Sequence, residues 1–433
     1  MSSIETQAIS LDRDKLAHFA SAWRTVLITI GLAVLWLSFE PFSGGQDYES
    51  GGSLVNQLGY TSLTGLMLLT LLTCAHPAFL FRLLSTPWLL LFAWVLIAGI
   101  VISPEGDDAA RGAIFSVIVA IMAACLVPCA PSERGLIGAL TVSAVVILFL
   151  SYAGLFIFSD AAVHTAAEAE PQHSGLWRGV FVHKNVAGPV MAMLLFVGLY
   201  IMRRGQILFG LLIALGAFFF VYKTGSKTSL ALVPLVIAAV LMPSTVGLRS
   251  LIPFIGVSAI IGAHALTLGT IFFDDLNAIV RTISPDTTFT GRTDIWAFAR
   301  EYLWERPWTG FGYAGFWGTP LVLGAEQPFD RIWDPRGIVH GHNGYLDALL
   351  IFGLPGLVLL FWVTIIAPAA QYARAPRLPA NNALNDLFFM IILFAALNAS
   401  LESFFFNRAD PVWLTLVFAL FGLRLSSRFP ITR

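Results

Sequence analysis

Between Asp274 and Leu346 the chain reads DDLNAIVRTISPDTTFTGRTDIWAFAREYLWERPWTGFGYAGFWGTPLVLGAEQPFDRIWDPRGIVHGHNGYL. This is its one long polar segment, and apolar runs of membrane-crossing length stand on both sides of it. Arginines, tryptophans and histidines concentrate here in recognisable groups: Thr290-Gly-Arg-Thr-Asp-Ile-Trp296, Arg300, Gly310-Phe-Gly312, Phe316-Trp317 and His340-Gly-His-Asn-Gly-Tyr345. A polar site carried at a membrane face, with the rest of the chain as its scaffold, is the arrangement this pattern implies.

Composition supports the scaffold. Of 433 residues 57% are hydrophobic and only 12% charged, where soluble domains carry about 25% charged residues. Mean hydropathy is +0.79, and the net charge of −1 leaves no basic field for nucleic acid. The chain reads as an all-α polytopic membrane protein with about 12 spans, each needing ~20 apolar residues to cross the bilayer. The runs are Thr25–Phe39, Tyr60–Ala75, Pro87–Ser103, Gly112–Ala130, Gly135–Phe158, Ala187–Met202, Gln206–Tyr222, Ser229–Met242, Leu251–Phe272, Tyr345–Ala367, Ala383–Ala399 and Pro411–Leu425. The resulting division is an N-terminal cytoplasmic tail (1–24) and nine spans within 25–272, with a first outer loop at 159–188. A large periplasmic loop (273–345) and three spans with a short cytoplasmic tail (346–433) complete it. The tail is too long and too acidic for the start of a cleaved signal peptide. Short hinges such as Met202-Arg-Arg-Gly205 carry a modest positive-inside bias, which puts both termini in the cytoplasm and the polar stretch outside. Cys74, Cys125 and Cys129 all lie in apolar runs and read as small packing residues without a disulfide.

Five groups could carry chemistry. Trp177-Arg178-Gly-Val-Phe-Val-His183-Lys184-Asn185 precedes a span, and is either a juxtamembrane aromatic-basic anchor or an anion site. Lys223-Thr-Gly-Ser-Lys227-Thr-Ser229 ends like a nucleotide-phosphate loop, but Phe220 stands where that loop needs glycine and no strand precedes it. It is a capped turn or a phosphate contact. A helix from Asp294 to Trp304, with Thr293 as its cap, would place Trp296, Arg300 and Trp304 on one face, with Arg292 at the entrance beside a glycine. That pattern fits a surface amphipathic helix or an anion site. His340 and His342 could chelate, but no cysteine lies near and Asp330, Asp334 and Asp347 show no ligand spacing, so no metal is expected. Proton transfer suits a histidine at this face better, with Asn343 beside it to orient an imidazole or a sugar hydroxyl. Glu402 lies so close to the membrane that pairing or function is required of it.

These groups, in this order, resemble the O-antigen ligase/polymerase superfamily (the Wzy_C group), and within it the ExoQ-like exopolysaccharide polymerase branch. Gly353-Leu-Pro-Gly356 completes the set, which runs from Trp177 to Asn407. The resemblance implies a GT-C-like, metal-independent glycosyltransferase without a cofactor, multi-pass in the bacterial inner membrane with its site on the periplasmic face. The donor would be a glycan on undecaprenyl diphosphate, and the acceptor a glycan or lipid hydroxyl. A chain-length regulator and other polysaccharide assembly proteins would be its partners. Carried over to this chain, Arg178, Lys184 and Arg292 would bind the diphosphate, and Asn185 would line the same site. His342 would act as base or orient the acceptor, with Arg300, His340, Asn343 and Glu402 in support. Polymerisation of repeat units is the expected reaction; the alternatives are transfer of a finished glycan to lipid A-core or a protein, and transport of a lipid-linked glycan. Transport would predict charged or helix-breaking residues near the middle of several spans, lining a path; these runs are almost free of charge, and the polar chemistry is concentrated on one face. The outer tryptophans Trp296, Trp304, Trp308, Trp317 and Trp333 could stack on sugars or belt the interface.

Overall fold

A computed structural model describes residues 3–42, 53–74, 85–168, 170–283, 289, 291–326, 334–375 and 378–431. Thr290, Asp330 and Trp333 lie outside the described residues. All twelve expected spans are helices: α1 (Ser3–Leu37), α2 (Leu54–Cys74), α3 (Thr86–Ile97, continued by a π-turn Ala98–Ile102), α4 (Gly106–Cys129), α5 (Glu133–Ile157), α6 (Lys184–Arg203), α7 (Ile207–Thr224), α8 (Lys227–Thr245) and α9 (Ile252–Leu266). Two short helices follow, α10 (Asp274–Ile283) and α11 (Arg292–Tyr302), and then α12 (Gly344–Phe361, extended to Arg374), α13 (Asn382–Asn398) and α14 (Pro411–Ser426). The helix of α1 begins inside the segment read as a tail. The extension of α12 passes Pro368 through a π-turn at Trp362–Ile366, because proline offers no N–H to the carbonyl four residues back.

Among the described residues ten helices are long and apolar enough to cross a bilayer, and two apolar ones, Thr86–Ile102 and Pro411–Ser426, are shorter. At 1.5 Å per residue, α14 spans about 24 Å, short of the ~30 Å hydrocarbon layer. Its shortness is tolerated because its side chains are almost all buried in protein, so bilayer thickness does not set its length. The windows of α6 and α13 are 78% and 83% buried, against 22% for α8 and α9. The former pair is the interior of the bundle, and the latter turns apolar side chains outward, as lipid contact requires. α6 and α7 approach at backbone distance. A Cβ on Gly198 would stand 2.7 Å from the Gly210 carbonyl, so only glycine permits the crossing. The cysteines are free, Cys125 and Cys129 being buried.

Two motifs from the sequence turn out to be one structural lock. α12 breaks at Gly353 (φ 64°, ψ −172°) just before Pro355, which frees carbonyls in the preceding turn. The Leu350 and Ile351 carbonyls accept from Phe311 N (2.7 Å) and Gly312 N (3.0 Å), the Phe352 carbonyl accepts from Trp94 Nε1 (2.8 Å), and Leu354 N donates to the Pro307 carbonyl (2.8 Å). Tyr313 N then reaches the Ala98 carbonyl in the π-turn of α3. Gly310-Phe-Gly312 thus threads between α3 and α12, satisfying backbone groups that lipid could not. This lock fixes where the long polar segment returns to the bundle.

Candidate active site

The turn His340-Gly-His-Asn leads into α12 and is held from both sides. Gly341 N donates to the Asp347 carboxylate (2.9 Å), which also accepts from Trp317 Nε1 (2.7 Å), while the Gly341 carbonyl accepts from Trp296 Nε1 (2.8 Å). A Cβ on Gly341 would lie 2.6 Å from the Asp347 carboxylate. His342 takes a left-handed conformation, φ 50°, a strained state for a non-glycine residue that the surroundings must impose. Asn343 supplies part of that constraint. It is fully buried, caps α12 by accepting from Leu346 N (3.0 Å), and donates to the Ser400 carbonyl (3.0 Å). Both ends of its amide are engaged by the backbone, an arrangement that favours the first of its two expected roles, orienting an imidazole, over meeting a sugar hydroxyl. Through the Ser400 contact and Gly344 N to the Ala399 carbonyl (2.8 Å), the turn between α13 and α14 is pinned alongside. Glu402 is thereby delivered to the histidines.

Glu402 is the hub. Its Oε1 accepts from Arg292 Nη2 at 2.7 Å, and its Oε2 faces His342 Nδ1 at 3.5 Å. Burial pushes its carboxyl up, but Arg292 and His342 outweigh burial and hold it at about 2. Arg292 is the first residue of α11, whose cap is Gly291 at φ 85° rather than Thr293, so the glycine-arginine pair at the helix entrance is as read. His342 Nδ1 is buried, yet 26% of the side chain is exposed, so the open part of the ring lies away from Glu402. His340 packs on it with ring centroids 4.2 Å apart. Burial, then His342, lowers His340 to about 3, so its ring is neutral at physiological pH.

The start of α6 completes the site. The side chain of Lys184, 9% exposed, makes no hydrogen bond among the described residues; burial lowers its ammonium, with Glu402 and Glu170 acting against that shift and Arg292 and Lys227 adding to it. Lys227, from the hairpin read as turn or phosphate contact, therefore belongs to the same neighbourhood. Two imidazoles cap α6: His183 Nδ1 accepts from Asn185 N (3.1 Å), and His164 Nε2 from Lys184 N (3.2 Å). Each passes its other ring nitrogen to a carboxylate, His183 Nε2 to Glu170 (3.0 Å) and His164 Nδ1 to Glu168 (2.7 Å). The His183 bond holds Glu170 at about 2. Burial lowers His164 and His173. Asn185 stands half-buried beside Lys184.

Two expected site residues are set apart. Arg178, 6% exposed, donates through Nε to the Ala161 carbonyl (2.7 Å) and through Nη2 to the Asp160 carbonyl (2.9 Å), and it pairs with Glu168. It ties the loop between α5 and α6 together instead of facing the cluster. Arg300 points out of the site too, donating to the Ile271 carbonyl and lying over the Phe272 ring. The expected stripe of Trp296, Arg300 and Trp304 is also broken. Trp296 is core, and Trp304 lies past the end of α11 and is 73% exposed. Of the tryptophans expected to stack on sugars or belt the interface, Trp304 and Trp308 are open, Trp308 being 69% exposed; Trp317 is engaged with Asp347.

Sequence reading missed Glu168, Glu170 and His173, and passed over Asp347. A signal existed for the histidines, since five of the eight in the chain (His164, His173, His183, His340, His342) fall in or beside the two outer segments. Glu170, His173 and His183 offer ligand atoms within 4.8 Å of one another, the geometry of a three-ligand metal site. The hydrogen bonds argue for another use. His183 Nδ1 accepts a backbone N–H, so its proton resides on Nε2 and is donated to Glu170, leaving no lone pair there for a cation.

Residues 189–361 match the model of the O-antigen ligase family, Wzy_C. Over 126 residues the chain is 31% identical to the exopolysaccharide production protein ExoQ of Rhizobium meliloti (strain 1021), a stretch that is 28% of this chain and 27% of that protein. The aligned part thus spans about a quarter of the curated relative. The chain resembles this superfamily, as its motifs imply, and ExoQ within it. The family match contains Arg292, His340 and His342, while Lys184 and Glu402 flank it.

Proposed function

We propose that the chain is a membrane glycosyltransferase of the O-antigen ligase/polymerase type. It transfers a glycan from undecaprenyl diphosphate to an acceptor sugar hydroxyl at the periplasmic face of the inner membrane, polymerising exopolysaccharide or O-antigen repeat units. The observation that carries this reading is the Lys184–Arg292–Glu402–His342 cluster. A lysine and an arginine set around a low-lying carboxylate can neutralise a departing diphosphate. The imidazole next to them is directed by that carboxylate. With Glu402 ionised, the proton of neutral His342 is favoured on Nδ1, and Nε2 is left as the base for the acceptor hydroxyl. In the transfer, the acceptor oxygen bonds to the anomeric carbon as the carbon–phosphate oxygen bond breaks. The proton goes to His342 and the electron pair to the diphosphate, held by Lys184 and Arg292. No step needs a metal. Arg178 acts indirectly by holding the loop that presents His183 and Lys184.

Purified protein in nanodiscs, given a polyprenyl-diphosphate glycan with EDTA present, should yield longer glycans on a gel. His342→Ala and Arg292→Ala variants that elute as folded protein should not. Donor consumption only on addition of a core-lipid acceptor would move the function to ligation. Movement of donor across vesicles without any turnover would sink the enzyme reading.

A further inference from the structure

The face opposite the active site carries several arginines, and most of those described are committed to the protein. Arg24 donates to the Cys129 and Ala130 carbonyls at the end of α4 (both 2.9 Å). Arg203 and Arg249 converge on the fully buried Asp386, and Arg204 pairs with Glu133. Arg374 and Arg428 differ. Neither side chain has a hydrogen bond or ion pair among the described residues, and both line a cavity of about 220 Å³ at the ends of α3, the extended α12 and α14. Arg424, Gln371, Trp88 and Trp362 line it too, and among the described residues no carboxylate does. Like charges gathered without an acid repel one another, so the cavity is built for an anion that comes from outside the chain.

We infer that this cavity binds the phosphate of an anionic phospholipid. Two guanidinium groups match a phosphate diester. Lipid rather than free phosphate is indicated by what surrounds it. Trp362 is 49% exposed at the cavity, and Val358 on α12 and Leu89 and Leu90 on α3 turn outward beside it, a path for acyl chains between two membrane helices. Basic pockets between helix ends are suited to such headgroups. The site is separated from the catalytic cluster by the length of α12, so its occupancy is independent of the proposed reaction.

Native mass spectrometry on the full-length protein would count retained lipids with dioleoylphosphatidylglycerol or dioleoylphosphatidylcholine added. Wild type should keep one phosphatidylglycerol in preference to phosphatidylcholine. Arg374→Gln/Arg428→Gln should weaken retention about thirty-fold, and Arg428→Gln alone about five-fold. Arg134→Gln, an exposed arginine on the same face outside the cavity, should leave it unchanged. Should the double variant not fold, the single one decides. Equal retention by variant and wild type, or equal holding of the two lipids, would overturn the inference. So would displacement of the lipid by millimolar inorganic phosphate, which would make this a soluble-anion site.

Discussion

Replacing Glu402 by glutamine tests the hub of the site with almost no change of shape. Two bonds change character: the 2.7 Å contact from Arg292 loses its charge, and the 3.5 Å approach to His342 Nδ1 loses the carboxylate that fixes the tautomer. A hydrogen bond to a charged partner contributes about 1.5–3 kcal/mol. Glu402 is 13% and Arg292 17% exposed in their side chains, so solvent screens the pair only in part, and a loss of about 2 kcal/mol in stability is expected. The catalytic loss should be larger. An imidazole without its orienting carboxylate populates the wrong tautomer, and general-base contributions run to about 10²–10⁴-fold. Donor binding should move the other way, because removing a negative charge beside Lys184 and Arg292 leaves the diphosphate pocket more positive. The assay is steady-state donor consumption in nanodiscs, with folding checked by size-exclusion chromatography. Turnover should fall 10²–10⁴-fold while donor KM holds or decreases. A folded Glu402→Gln protein with wild-type kcat, or one whose KM rises by the factor that kcat falls, would refute the arrangement.

Lys184→Ala should raise donor KM by about tenfold, the effect of one charge-assisted phosphate contact, and the difference should shrink with added salt; titration at 50 and 500 mM NaCl checks both. Gly353→Ala places a Cβ 2.6 Å from the Trp308 carbonyl at a φ of 64°, so a loss of at least 1–3 kcal/mol is expected, read as a lower melting temperature with the outer segment released to protease. Acid should destabilise the outer-face assembly in two stages. His340 lies at about 3 in the fold against an ordinary 6.5, so the unfolded state binds the proton first and stability falls as pH drops from 6.5 towards 3, by up to ~1.4 kcal/mol per unit. Glu402, at about 2 against 4.5, adds its loss below 4.5. His340→Gln should flatten the slope between pH 6.5 and 4.5, and an unchanged slope would count against the buried neutral ring.

The twelve apolar runs determined the twelve helices, because in lipid a backbone must satisfy itself and a helix is the local way to do so. Arg292, His340, His342 and Glu402 could be singled out from the sequence, since polar residues of these kinds near a membrane are costly unless paired or functional, and the fold brings them into contact. Which of them meet was decided by tertiary structure alone. Arg178 and Lys184 stand six residues apart in one polar stretch, but the carbonyls of Ala161 and Asp160 claim the first and the packing of α6 presents the second. Asn343 adjoins His342 in sequence, yet the helix start it caps turns its amide inward. Gly310-Phe-Gly312 and Gly353-Leu-Pro-Gly356 are forty residues apart, and only the broken turn of α12 shows that one exists to satisfy the other. Pairings across such distances depend on which carbonyl, charge or cavity the folded neighbour offers, and no local pattern of residues records that.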